Sequence, residues 1–260
     1  MSLLTVQLGA TLLFLWLPQS TRQLSPEVMA KPAELFPVAA ATAGAGPAVI
    51  EYWLDGPGRR VSLSIRSADG AHVVALQPLR RRGVNRVTWN LRIMPPGVDA
   101  KEVRKEAAKR MEIPLAVPGD YAVVLTVDGV AQEQTLRVND DPRLKMTPAE
   151  RRAWTDTQVR LWQTAFGAEQ LVGTVTALGE QGRRQVGTRL TATVAALKKL
   201  EEPLVEIAVG SEALLRKIVG MTGPVGAGDL AKVNEYAAAL EKHKTEVRAL
   251  QAGMRGAPAR

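Results

Sequence analysis

Side chains able to do chemistry are few in this chain, and their spacing suits no familiar reaction. A glycosidase needs two carboxyls held across a cleft, and Glu51, Asp69, Asp99, Glu102, Glu106 and Asp128 are numerous enough to supply them. All six, however, fall at turns, on exposed strand faces or on a charged insertion, which makes them solvated surface. With no cysteine in 260 residues there is no thiolate nucleophile, thiolate metal site or disulfide framework. His72 has no acidic or histidine neighbour at ligand spacing, and His243 lies in the charged run Glu241-Lys242-His243-Lys244. The glycine-rich stretch from Gly220 to Gly228 lacks the preceding strand and the Gly-Lys-Ser/Thr ending of a phosphate cradle, so it is a helix connection. No catalytic, cofactor-binding or metal-ligating residue is therefore assigned. The remaining candidate is Arg80-Arg81-Arg82, three adjacent positive charges in a turn that would suit an interaction surface.

The formal net charge of +8 and the pI near 10 invite a nucleic-acid partner. The excess is spread along the chain, without the aromatic interleaving or recognisable module of such proteins. Aromatic residues make up 4% of the chain, too few for a base-stacking platform or an aromatic sugar groove. A protein partner fits better than nucleic acid.

The elements that must position these residues change character along the chain. Leu3 to Leu17 is an apolar run too short for an integral membrane anchor but of signal-peptide length, so residues 1–20 are either a signal peptide or a truncation remnant. Residues 21–47 are rich in Pro, Ala and Gly and read as a linker. From 48 to 141 short alternating runs predict about six strands. The clearest is Val61, Leu63 and Ile65 on one face, and the strongest turn is Asp128-Gly129, with Asp69-Gly70 a second hairpin turn. Trp53 and Trp89 stand at expected core positions. Residues 93–118 interrupt the strands, with a surface helix expected over 99–111.

At Pro142 the pattern turns helical. Thr147-Pro148-Ala149-Glu150 has the form of a capping box with proline at the first helical position. The spacing predicts helices from there to about Leu178, with a break at Gly179 to Gly182, then from Val186 to Pro203, from Ser211 to Val219 and from Asp229 to Ala252. A disordered tail is expected over 253–260. The fold class expected is α+β: an antiparallel immunoglobulin- or fibronectin-III-like β-sandwich (48–141) followed by an antiparallel helical bundle (142–252).

Several segments together resemble the C-terminal region of the bacterial sortilin-like, BNR-repeat β-propeller proteins, often labelled glycosyl-hydrolase-like. These are Thr21 to Val28, Glu34-Leu35-Phe36-Pro37, Ala48 to Leu54, Gly83 to Arg92 with its Asn-Arg-Val-Thr-Trp-Asn-Leu-Arg run, Pro118-Gly119-Asp120-Tyr121 and Val138 to Arg143. The propeller is not present in this sequence, so no family site residue carries over. The resemblance implies an exported, non-catalytic accessory or interaction module whose partner is a protein or a propeller domain. The alternative is a fragment of a carbohydrate-active enzyme whose active site lies on the propeller.

Overall fold

The hairpin across Asp128-Gly129 forms with Asp128 at φ 50° and Gly129 at φ 92°, the left-handed pair that matches a two-residue turn to strand twist. In the computed structural model, which describes residues 24–57, 59–70, 72–95, 113–184 and 188–255, this hairpin is β7 (Gly119–Val127) with β8 (Val130–Asn139). Their register runs from Val127 opposite Val130 to Gly119 opposite Val138. The chain divides into two units: residues to Leu91 with Pro118–Asp141, and Arg92–Val117 with everything from Pro142 on. The interruption expected within one β-domain therefore belongs, at its described ends, with the helices. The helix expected over 99–111 and the apolar segment 1–20 lie outside the described residues.

The first unit begins with α1 (Pro26–Met29), capped by Ser25, whose hydroxyl accepts from the Val28 amide at 3.3 Å. The strands are β1 (Ala33–Leu35), β2 (Ala41–Thr42), β3 (Ala48–Leu54), β4 (Val61–Ser67), β5 (Val73–Leu76), β6 (Gly83–Trp89) and then the hairpin. They build a three-stranded sheet ordered β1-β3-β6 and a five-stranded sheet ordered β2-β8-β7-β4-β5. This corrects the expected fold. The chain is α+β, but its β-region is no antiparallel immunoglobulin-like sandwich, because β2 runs parallel to β8, with Ala41 opposite Val138 and Thr42 opposite Asn139. Both β1 and β2 come from the stretch expected to be a linker, where Ala33, Leu35, Phe36, Ala41 and Ala43 are buried.

Strand β1 also ties the two sheets together through side chains. Gln132 of β8 accepts from the Leu35 amide (2.7 Å) and donates to the Ala33 carbonyl (3.0 Å), as a neighbouring strand would. Two strands of three and two residues thus hold their places because their backbone groups find partners, since so few residues cannot establish a pattern. The core alternates as expected on β4, with Val61, Leu63 and Ile65 buried, and Trp89 meets Tyr121 at 5.3 Å between ring centroids. Trp53 is different. On β3 the inward residues are Ile50, Tyr52 and Leu54, so Trp53 takes the other face, half-buried, and its indole N–H donates to Lys31 O at 3.2 Å.

Among the described residues the second unit holds three long helices, α2 (Pro148–Arg184), α3 (Thr188–Val219) and α4 (Ala227–Arg255). The capping box forms. Thr147 Oγ1 accepts from the Glu150 amide (3.3 Å), while Glu150 Oε2 accepts from the Thr147 amide (2.8 Å) and hydroxyl (2.9 Å). These bonds from Thr147 hold the Glu150 carboxyl below its ordinary pKa.

Neither expected interruption occurs. Gly179 to Gly182 stays helical, and α3 runs through Pro203, so one helix replaces the two expected between Val186 and Val219. An interior proline costs about 3 kcal/mol, and the burial of Leu197, Leu204, Ile207 and Ala208 around it offsets that cost. Trp154 near the start of α2 donates to Ile218 O at 2.9 Å near the end of α3, and Lys217 meets Asp229 at 2.6 Å. The helices therefore run up, down and up. Arg151 is buried beside Trp154, 4.6 Å above its ring, and donates to Ala116 O (3.1 Å) and to Thr155 Oγ1. With the Thr155 hydroxyl donating to Leu115 O at 3.4 Å, these bonds join residues 115–116 to the bundle.

Candidate interaction surface

The three arginines of the candidate site leave β5 and enter β6 through a turn held from two sides. Asn85, an inward position of β6 by alternation, is 1% exposed. Its side chain accepts from the Arg81 amide (3.1 Å) and donates to Arg81 O (2.7 Å) and Gly83 O (3.0 Å). On the other side, the buried Tyr52 hydroxyl donates to Leu79 O at 2.6 Å. Burial pushes the Tyr52 phenol above its ordinary pKa, while the positive charge of Arg80 works in the opposite direction. Leu79 O, both backbone groups of Arg81 and Gly83 O are thus satisfied by core side chains, and the side chains of Arg80, Arg81 and Arg82 are left exposed. Among the described residues no carboxylate pairs with any of the three.

Arg60 adds a fourth guanidinium, its side chain 89% exposed and its Nε 4.0 Å from Asp128 Oδ1, a contact long enough to leave its outer donors in solvent. It precedes β4 and stands at the rim of a hollow of about 380 Å³, lined by Arg60, Val61, Ser62, Arg80, Thr126 and Gly129. Ser62 and Thr126 are cross-strand partners, so their positions share the outer face of the five-stranded sheet. The neighbouring Arg59 is committed to structure. It donates to Asp55 (2.6 Å at closest) and to Asp128 (2.9 Å), and Asp128 also accepts from the Arg60 amide at 2.9 Å. That amide first, and then the Arg59 guanidinium, hold the Asp128 carboxyl below its ordinary pKa. Asp128 therefore serves twice, supplying the left-handed turn residue and anchoring the start of β4.

A guanidinium offers planar, paired donors that match carboxylate or phosphate oxygens, and a backbone held by hydrogen bonds from the core limits the entropy lost on binding. The arrangement can recognise anions. It brings no nucleophile and base together. Of the carboxylates considered for hydrolysis, Asp99, Glu102 and Glu106 lie outside the described residues. Asp69 accepts from Ser67 Oγ at 2.5 Å. Glu51 is not the surface group expected. It is 9% exposed and takes Arg86 Nη2 at 2.7 Å, while β1 continues past it so that the Phe36 amide donates to Glu51 O. Among the described residues no three His, Cys, Asp or Glu side chains gather as a metal site. Arg60 is the member that the sequence reading missed, although a turn residue just ahead of a clean alternating strand was the available signal. No helix among the described residues is long and apolar enough to cross a membrane.

No protein-family model matches this chain, and neither the curated proteins nor the solved structures contain a match.

Proposed function

We propose that the protein is a non-catalytic interaction module that docks an acidic protein surface on Arg60, Arg80, Arg81 and Arg82. The observation that carries this reading is the pinning of the arginine turn by Asn85 and Tyr52, which spends buried hydrogen bonds on a loop that contributes no apolar core. The resemblance to the region that follows the propeller in sortilin-like proteins supplies the context: an exported protein with a propeller domain, in the same or another chain, as the acidic partner.

The test is titration of the full chain with a fluorescent poly-glutamate peptide at several salt concentrations. Binding that weakens steeply with salt and is lost when Arg80, Arg81 and Arg82 are all changed to Glu supports the reading, since such contacts are screened. Asn85→Ala is expected to weaken binding while all four arginines remain, because it frees the loop that presents three of them. Binding that survives the triple reversal, or tighter binding to a DNA duplex than to the peptide, overturns it.

A further inference from the structure

The outer face of α3 carries an apolar and charged stripe that the bundle does not use. Its inner face is buried through Leu197, Leu204, Ile207, Ala208, Leu215 and Ile218. Opposite these stand Val205 and Val209, 47% and 56% exposed, with Glu202, Glu206, Ala213 and Arg216 also exposed. At 3.6 residues per turn, Glu202, Val205, Val209, Ala213 and Arg216 fall within a sector of about 80°, with Val209 at its centre. Among the described residues neither Glu202 nor Glu206 has an ion-pair partner. Among the described residues Arg216 meets only Glu212 of its own helix, through one Nη1 contact at 3.4 Å, and its own side chain stays 55% exposed, which leaves the guanidinium able to meet a second carboxylate.

Within this sector the order of charges is self-complementary, while Glu206 and its two-fold counterpart Glu212 lie outside it, about 60° to either side of Val209. We infer that α3 pairs antiparallel with α3 of a second copy of this chain, about a two-fold axis through Val209. Glu202 and Arg216 lie seven residues to either side of Val209, and Val205 and Ala213 lie four to either side. The two-fold therefore sets Glu202 against Arg216 of the second copy at both ends and Val205 against its Ala213, with the two Val209 side chains meeting at the axis. A parallel pairing would set Glu202 on Glu202 and Arg216 on Arg216, which repulsion disfavours. Such an interface is isologous and closes at two subunits. One helix pair buries less than the roughly 1,200 Å² of a standard stable interface, so dissociation in the upper micromolar range is expected. This inference is independent of the arginine surface, since none of its residues belongs to that site.

Sedimentation velocity of the full chain, from low to several hundred micromolar, is expected to show a monomer–dimer equilibrium that Val209→Glu weakens about tenfold or more, a loss of roughly 1.4 kcal/mol. Glu202→Arg and Arg216→Glu are each expected to weaken it, and the two together to restore it. Because the chain has no cysteine, Val209→Cys is expected to form an intermolecular disulfide on mild oxidation and Val205→Cys to form far less. A monomer at every concentration, a dimer insensitive to Val209→Glu, or a charge swap that fails to restore association would overturn the inference. Circular dichroism of each variant confirms that its helices are intact.

Discussion

Glycine is used in opposite ways by the β unit and the helical unit. In the β unit Gly70 and Gly129 stand at hairpin turns with φ of 70° and 92°, and a Cβ on either would meet nothing within 4 Å. What they contribute is backbone freedom. In the helical unit a Cβ on Gly182 would lie 2.6 Å from Val194 Cγ2, and one on Gly210 would lie 2.5 Å from the Tyr236 hydroxyl. Those glycines contribute absence of volume, letting helices approach, and their backbone is ordinary helix. One residue type therefore marks a turn in one region and close packing in the other, and only the first role has a local signature.

Substitutions at these positions test the contrast. Gly182→Ala is expected to have the largest effect, roughly 1–3 kcal/mol of destabilisation by overpacking, even though alanine is the better helix former. Val194 is β-branched and leaves its preferred helical rotamer only at a cost, so pairing the change with Val194→Ala should recover part of the loss in chemical denaturation. Gly129→Ala is expected to cost about 1–2 kcal/mol by a different route, strain at positive φ, and Gly129→Asn should cost less because asparagine tolerates that region. Enlarging a neighbour's space would not rescue Gly129→Ala. Gly173, exposed within α2 with nothing near its missing Cβ, should behave in the reverse sense. Gly173→Ala is expected to stabilise by up to about 1 kcal/mol, and an unchanged or lowered melting temperature would contradict the assignment of packing as the deciding factor.

The smallest effect expected is a pH dependence shared by both units. Asp128 and Glu150 have depressed pKa values, from the Arg60 amide and Arg59 in one case and from Thr147 in the other. A carboxyl whose folded pKa lies below its unfolded value adds stability above the unfolded value, near 4. That contribution disappears as pH falls through the folded value. Melting temperatures measured downward from neutral pH should therefore decline below about pH 4, and Asp128→Asn and Glu150→Gln should each flatten part of the decline. A decline unaltered in both variants would assign acid sensitivity to other carboxyls.

Legibility in the sequence followed the range of the interactions involved. The Asp128-Gly129 hairpin, the alternation of β4 and the Thr147–Glu150 capping box were readable because each depends on residues within a few positions of one another. β1 and β2 were hidden because strands of three and two residues are too short to show a periodicity, and their places depend on Gln132 and Val138 about a hundred residues away. Glu51 and Trp53 were misplaced for a related reason. They share one face of β3, which alternation alone did not identify as the outer one, and the burial of Glu51 there comes with its pairing to Arg86 on the neighbouring strand β6. The arginine turn was visible as charge, whereas Arg60 and the hollow required the β4–β7 register to bring separate segments together.

What the amino-acid sequence determined by itself is the α+β character, the positions of the tightest turns, the start of the helical region and the cluster of arginines. All of these arise from backbone preferences and charges of neighbouring residues. The tertiary structure alone decided that Pro203 and Gly182 continue helices, that a stretch rich in alanine and glycine becomes two strands, and that one sheet contains a parallel pair. Each of those outcomes sets a local cost or indifference against burial and hydrogen bonds made with distant residues, and across a packed interface the distant terms are larger.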